Sequence, residues 1–414
     1  MPVALPPSLR TSVLLGGRGV AGGVDGSSEP ASTWREAMRI GRVLPSGSGA
    51  GFRADPGPIL AAASALPVDE VLLRVEWARL APSEGVLDEA EVAWMAEVLG
   101  TLHAAGRRTG IVLTDGAVPW WLGPEAWLMP ATPDRLATLA LALVEALPGL
   151  VDAVVPVEEP GTWCLAGWVA GAAPPLRVLA TRDALAALDA MMASHLLVTD
   201  ALAATTPSIE VAWLASSGVA QVAERVMLGL PGGPSGLSRA IAAMADRGPG
   251  RAAELVETSD AAPAMPVLPF GADVARPSGP VAATAWAAAQ TGAPLATTVA
   301  EALGTSPGGR IGLRLQHSCA TIDGRGRTTR LRGHHRLAQV HGALGDLRDQ
   351  DKKVGRLILG EVTDRWRWGS FATREGIFGV DRTRGAKGYE LLTTDSSGVD
   401  VAGGLIELLA PRSA

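Results

Sequence analysis

Short apolar runs bounded by turn residues alternate along this chain with longer stretches whose apolar residues recur at helical spacing, the rhythm of a parallel α/β protein. The runs at 11–15, 71–77, 109–114, 151–157, 209–214, 266–270, 310–315 and 356–362 predict strands. Eight strands with helices between them make the complement of a (β/α)8 TIM barrel. Residues 88–105 place Val92, Met95, Leu99 and Leu102 at helical spacing, and residues 133–147 open on Thr132-Pro133-Asp134, read as a cap followed by proline at the first helical position. Helical patterns at 180–204, 281–303 and 331–347 continue the series, while the Gly/Pro/Ser-rich stretches 46–57 and 230–236 predict loops over one barrel face. No internal repeat is evident and no linker demands a second domain, so residues 1–414 are expected to form one barrel with inserted loops at its C-terminal face.

Composition narrows the function classes. At 414 residues, 47% hydrophobic and 19% charged, the chain suffices for a large core. A net charge of -6, with scattered arginines and no long basic run, argues against nucleic acid or an anionic membrane as partner and favours a small molecule. The two cysteines, Cys164 and Cys319, lie far apart, and no Cys/His spacing suits a metal. The first seven residues lack the charged start and apolar core of a signal peptide, and no segment runs about 18 apolar residues without interruption. A soluble protein of the reducing cytoplasm is the expectation. No Gly-rich phosphate loop is visible, so no cofactor is expected. Abundant Ala and Gly with scarce Phe, Tyr and Lys match GC-rich bacterial coding, which accounts for the composition without any functional appeal.

Chemistry concentrates at Val157-Glu158-Glu159-Pro160, which ends a predicted strand and leads into Gly161-Thr162-Trp163. The C-terminal strand ends of a TIM barrel carry its active sites, and two adjacent carboxyls raise the pKa of one member by repulsion. Glu159 is therefore a candidate proton donor, set against the plainer reading of a solvated glutamate capping the next helix. Alternation along 71–77 points Leu72, Arg74 and Glu76 to one face, into the barrel. Buried charges need partners, so an Arg74–Glu76 pair or network is expected, serving either the core or a substrate.

Four ordered motifs resemble the family 1 glycoside hydrolases, the β-glucosidase type of barrel. Val75-Glu76-Trp77-Ala78-Arg79-Leu80-Ala81-Pro82 resembles I-S-W-S-R-I-F-P, and Ile111-Val112-Leu113-Thr114-Asp115-Gly116-Ala117-Val118-Pro119-Trp120-Trp121-Leu122 resembles V-T-L-Y-H-W-D-L-P-Q-W-L. Glu158-Glu159-Pro160 stands where N-E-P belongs, and Asp364-Arg365-Trp366-Arg367-Trp368 with Arg374-Glu375-Gly376-Ile377 and Val380-Asp381 resembles the D-N-F-E-W, R-F-G-I and V-D ending. The resemblance spans nearly the whole chain and implies that Glu159 is the acid that protonates the departing oxygen. It also implies a nucleophile in an I-T-E-N-G motif on strand seven, where this chain reads Leu313-Arg314-Leu315-Gln316-His317-Ser318-Cys319. Residues 310–322 contain neither Asp nor Glu. The sugar-holding positions depart as well: Asp115 replaces the histidine of H-W-D, Glu158 the asparagine of N-E-P, Arg367 the glutamate of D-N-F-E-W, and Leu72 the arginine that steadies the nucleophile.

Asp115 is a candidate base opposite Glu159, or a cap for its own turn, and His317, beside Gln316, is a second candidate suited to proton transfer near neutral pH. Arg367 suits a planar oxyanion or pairs with Glu361 or Asp364, and Trp163, Trp366 and Trp368 suit an apolar wall. Trp34, Trp94 and Trp286 are read as packing, and His334, His335 and His341 as exterior groups, not metal ligands. A retaining glycosidase needs a second carboxyl about 5 Å from the acid, so ordinary β-glucosidase activity is disfavoured. The leading expectation is acid/base chemistry on a C–O bond of a small secondary metabolite (dehydration, elimination or isomerisation), a natural-product tailoring step. Two alternatives stand beside it: an inverting hydrolase using Asp115, Glu76 or Glu361 as base, and a catalytically dead barrel that binds a ligand.

Overall fold

The structure, a computed structural model, describes residues 9–17, 30–42, 51–114, 116–216, 218–228, 251–258, 265–270, 311–315, 320–322, 328–330, 337–338, 341–342, 354–363, 376–381, 390–393 and 400–409. In chain order its elements are β1 (Arg10–Gly16), α1 (Thr33–Arg39), α2 (Gly57–Ala65), β2 (Glu70–Arg74), α3 (Trp77–Leu80), α4 (Glu89–Ala104), β3 (Arg108–Val112), α5 (Thr132–Ala146), β4 (Ala153–Val155), α6 (Pro160–Cys164), α7 (Thr181–Thr205), β5 (Glu210–Leu214), α8 (Gly218–Met227), α9 (Arg251–Thr258), β6 (Met265–Phe270), β7 (Ile311–Leu315), β8 (Ala320–Ile322), β9 (Thr328–Arg330), β10 (Val354–Thr363), β11 (Gly376–Asp381), β12 (Glu390–Leu392) and α10 (Val401–Leu409).

Strands β1 to β7 pair in sequence order, all parallel, and β10 pairs in parallel with both β7 and β1, returning the sheet to its first strand. These are the eight strands expected from the apolar runs, and the architecture is a (β/α)8 TIM barrel. Two features lie outside that expectation: β11 and β12 extend the sheet beyond β10, and β8–β9 form a separate antiparallel pair.

The helices follow their patterning. Asp88 caps α4 by accepting from the Glu91 amide at 2.8 Å, and Met95, Val98, Leu99 and Leu102 are buried along its inner face. Thr132 does not cap α5 as the sequence suggested. Ala131 holds the cap position, and Thr132 is the first helical residue, buried, its hydroxyl donating to the Ala126 carbonyl at 2.5 Å. Residues 181–205 are long and apolar enough to cross a membrane by length and composition, but 67% of that window is buried within the protein, where α7 packs on α5 and α9. His341 is exposed, as expected, while His334, His335 and the 281–303 and 230–236 stretches lie outside the described residues.

Two apolar compartments result. The larger lies between the strand ring and the helices. The smaller fills the ring itself: Leu14, Leu72, Val112, Ala153, Val155, Ala212, Leu214 and Ile358, each fully buried. Gly110 belongs to this inner packing, since a Cβ there would stand 2.6 Å from the Leu72 side chain. Buried charges close the inner compartment at both ends. At the N-terminal end Glu70 accepts from Ser12 at 2.8 Å and from Arg356 at 3.0 Å, and Glu210 joins Arg356 at 3.1 Å to Arg10 at 2.5 Å. The C-terminal end carries the candidate site.

Candidate active site

Strand alternation delivers the first group. Leu72 and Arg74 share the inward face of β2, so the guanidinium of Arg74 rises from the apolar floor toward the C-terminal mouth. Two carboxylates clasp it. Glu158 takes Nε and Nη2, the latter at 2.8 Å, and Glu361, from β10, takes Nη1 and Nη2, each at 2.6 Å. Burial opposes the charge on Arg74, but Glu158 and Glu361 outweigh it and raise its pKa well above the ordinary value.

A second guanidinium joins from β7. Arg314 Nη2 lies 3.0 Å from Glu158 and 3.3 Å from Glu361, and its Nη1 lies 3.5 Å from Glu159. All five side chains are at least 95% buried. Among the described residues three carboxyls, Glu158, Glu159 and Glu361, thus face the two guanidiniums of Arg74 and Arg314. Among the described residues Arg314 Nη1 has no hydrogen-bond partner, and the Glu159 carboxyl lies 3.5 Å from it.

The backbone fixes Glu158 and Glu159 from both sides. The Glu158 amide donates to the Thr114 carbonyl past the end of β3 at 2.9 Å, and the Glu159 amide donates to the Leu214 carbonyl at the end of β5 at 2.8 Å. Glu159 then adopts φ 47° and ψ 54°, a left-handed conformation that L-residues other than glycine seldom occupy. This turn breaks strand geometry and starts α6, which continues into a π-helical turn, Leu165–Val169. Glu159 occupies the cap position of α6 yet makes no capping bond, and it is 3% exposed. The solvated capping glutamate of the plainer sequence reading is therefore excluded.

Next to this turn, Trp163 stacks edge-on to Trp34 with ring centroids 5.9 Å apart, and it lies against Gly116. Gly116 has φ 93°, and a Cβ there would fall 2.1 Å from the indole of Trp163. Both tryptophans are buried in the outer core.

An Arg–Glu cluster on the C-terminal ends of parallel barrel strands is a place, not yet a family. No protein-family model matches the chain, and no curated protein matches it. Solved structures do. The family 1 β-glucosidase from Thermotoga maritima superposes with TM-score 0.77 at 12% identity, covering 99% of both chains. The fold is that of a family 1 glycoside hydrolase. The AHE enzyme from Alicyclobacillus herbarius (TM-score 0.75, 17% identity, 99% of both chains) and the GH1 β-glucosidase from Exiguobacterium antarcticum B7 (TM-score 0.72, 17% identity, 99% of this chain and 98% of that one) share it.

On this glycoside hydrolase fold the structure brings Arg74, Glu158 and Glu159 together, and it corrects one expectation about their neighbours. Arg74 pairs with Glu158 and Glu361 rather than with Glu76. Strand β2 ends at Arg74, so alternation no longer governs Glu76, which opens the short helix α3 and lies 3.5 Å from Arg79. Glu361, expected as a partner for Arg367 or as a base, is bound by Arg74 and Arg314. Asp115, Gln316, His317, Trp366, Arg367 and Trp368 lie outside the described residues.

Sequence reasoning passed over three groups. Arg314 was quoted as part of the altered strand-seven motif without a role, although alternation with Gly312 on a barrel strand places it inside. Glu224 on α8 and Ser216 after β5 were missed altogether. Glu224 interrupts the stripe Ala220, Ala223 and Met227, all buried, and is itself fully buried. An acid inside an apolar helical stripe was the available signal.

Proposed function

We propose that this protein is an enzyme performing acid/base chemistry on a C–O bond of a small secondary metabolite in the cytoplasm, with Glu159 delivering the proton to the departing oxygen. One observation carries the reading: Glu159 is buried in a left-handed turn at the C-terminal mouth of the barrel, beside Arg314 and the adjacent carboxyl of Glu158. Non-glycine residues persist in that conformation where the surrounding structure over-determines them, and they cluster at functional sites. A general acid must hold a proton near the departing oxygen, and a position shielded from water at the mouth of the barrel suits that role.

The partners follow from what each group can still do. Glu361 and Glu158 each accept two or more guanidinium contacts, which tie them down, so neither is well placed to activate a water. That weighs against the inverting route through Glu361. The base is assigned, from the sequence, to Asp115 or His317, one of which removes a proton next to the carbon that loses oxygen. Arg367, Gln316, Trp366 and Trp368 are assigned to substrate contact on the same ground. The products are water or an alcohol and an unsaturated compound, a balance that needs neither metal nor redox cofactor.

The test uses β-hydroxy and β-alkoxy ketones as probes, following loss of water or alcohol by mass spectrometry. Glu159→Gln should lower turnover by about 100-fold or more, the loss expected of a general acid. An aryl β-glucoside is the counter-probe. Robust aglycone release by the native protein, abolished in Glu159→Gln, would replace this reading with glycoside hydrolysis, and no turnover of either probe class would favour a binding barrel.

A further inference from the structure

We propose that Glu224 is the positioning residue of Glu159: from α8 it locks the left-handed turn in place through backbone amides and couples its own charge to that of Glu159. The inference rests on the proton-donor reading of Glu159 but uses atoms which that reading leaves out. Helix α6 begins with a proline and has no local side-chain cap, so its first amides need distant acceptors. Glu224 Oε1 accepts from the Gly161 amide at 2.7 Å, and Ser216 Oγ accepts from the Thr162 amide at 2.8 Å. The same Glu224 carboxyl accepts from the Ser216 amide at 3.1 and 3.2 Å, binding the end of β5 to the start of α6.

Space is as tight as the bonding. A Cβ at Gly161 would stand 2.7 Å from the Ala220 carbonyl and 2.9 Å from Glu224 Oε1, so only glycine lets α8 approach this closely. Glu159 is thus gripped through its own amide by Leu214, and two residues later by Glu224. Loosening either contact frees the turn to leave its left-handed conformation and removes the carboxyl from Arg314.

The charges are linked by the same proximity. Burial raises the Glu224 pKa to about 7, the amide and hydroxyl bonds of Ser216 and Gly161 oppose the rise, and the charge of Glu159 adds to it. Cys164 of α6 faces the same carboxyl, its thiol pushed up by burial and by Glu224. Arg225 stands next on α8, Arg314 lies on the far side of Glu159, and the buried titratable group of α7 is His195. By reciprocity, an ionised Glu224 keeps the proton on Glu159, and removal of its charge releases that proton more readily.

Carbon-13 NMR of protein labelled at glutamate carboxyls tests both halves. In Glu159→Gln the Glu224 titration should move down by on the order of one pH unit, and in Glu224→Gln that of Glu159 should move down likewise. Glu224→Ala should speed hydrogen exchange at Gly161 and Ser216 by about 10-fold or more, and Glu224→Gln, which keeps an acceptor oxygen, should restore protection. A merely structural Glu224 would leave the Glu159 titration unmoved. Titrations that do not shift, or unchanged protection at Gly161 in Glu224→Ala, overturn the proposal. Intact probe turnover in Glu159→Gln would sink the proton-donor reading instead, and leaves these shifts to be judged on their own.

Discussion

Glu159 is held where glycine would sit at ease. The left-handed backbone costs a non-glycine residue on the order of 1–3 kcal/mol, and the buried carboxyl adds repulsion from Glu224. Glu159→Gly removes both, so it should raise stability by about 1–2 kcal/mol in urea unfolding while abolishing probe turnover. A fall in the urea midpoint would show that the turn is not strained. Arg74 gives the opposite case. Its four bonds satisfy two carboxylates that would otherwise face each other buried, and breaking a buried pair from one side is strongly destabilising. Arg74→Met should lower stability by about 3–5 kcal/mol at neutral pH, and by less in acid, where Glu158 and Glu361 can take protons instead.

At the scale of elements, the contact of α6 with α8 depends on one missing methyl group. Gly161→Ala forces backbone against backbone, which no side-chain rotamer relieves, and should cost about 1–3 kcal/mol while raising exchange at the Ser216 amide. Unchanged exchange there would mean that α8 does not hold the turn. The elements themselves were legible because barrel strands, buried on both faces, are short apolar runs with turn residues at each end. Thr132 misled because a threonine before proline carries the signature of a cap, whereas the Ala126 carbonyl captures its hydroxyl. The partners of Arg74 were not legible. They lie 84 and 287 positions away, brought together by barrel closure, while the nearby Glu76 falls after the strand has ended. Alternation predicts which face a charge occupies, and only the register of eight strands predicts whom it meets there.

For the whole molecule, two buried groups whose pKa values move in opposite directions hide each other. Glu224 is raised from its ordinary 4.5 to about 7, so it stays protonated in the folded protein while the unfolded chain ionises. Its contribution is present in full below pH 4.5 and is lost as pH rises toward 7, about 3 kcal/mol in all. His195, buried beside Trp213, is lowered from 6.5 to about 4 by burial. It stays neutral in the fold while the unfolded chain takes up a proton, so its contribution is present above pH 6.5 and is lost as pH falls toward 4, again about 3 kcal/mol. Between pH 4.5 and 6.5 the two slopes oppose each other, and the pair adds little net pH dependence there. Single variants unmask them. Relative to the native protein, Glu224→Gln should gain stability as pH rises from 4.5 to 7, and His195→Phe should lose its disadvantage or gain advantage as pH falls from 6.5 to 4. Urea midpoints taken across that range measure both. A difference curve for Glu224→Gln that stays flat through this window would mean that Glu224 does not titrate there, so its charge could not switch the proton on Glu159 between pH 4.5 and 7.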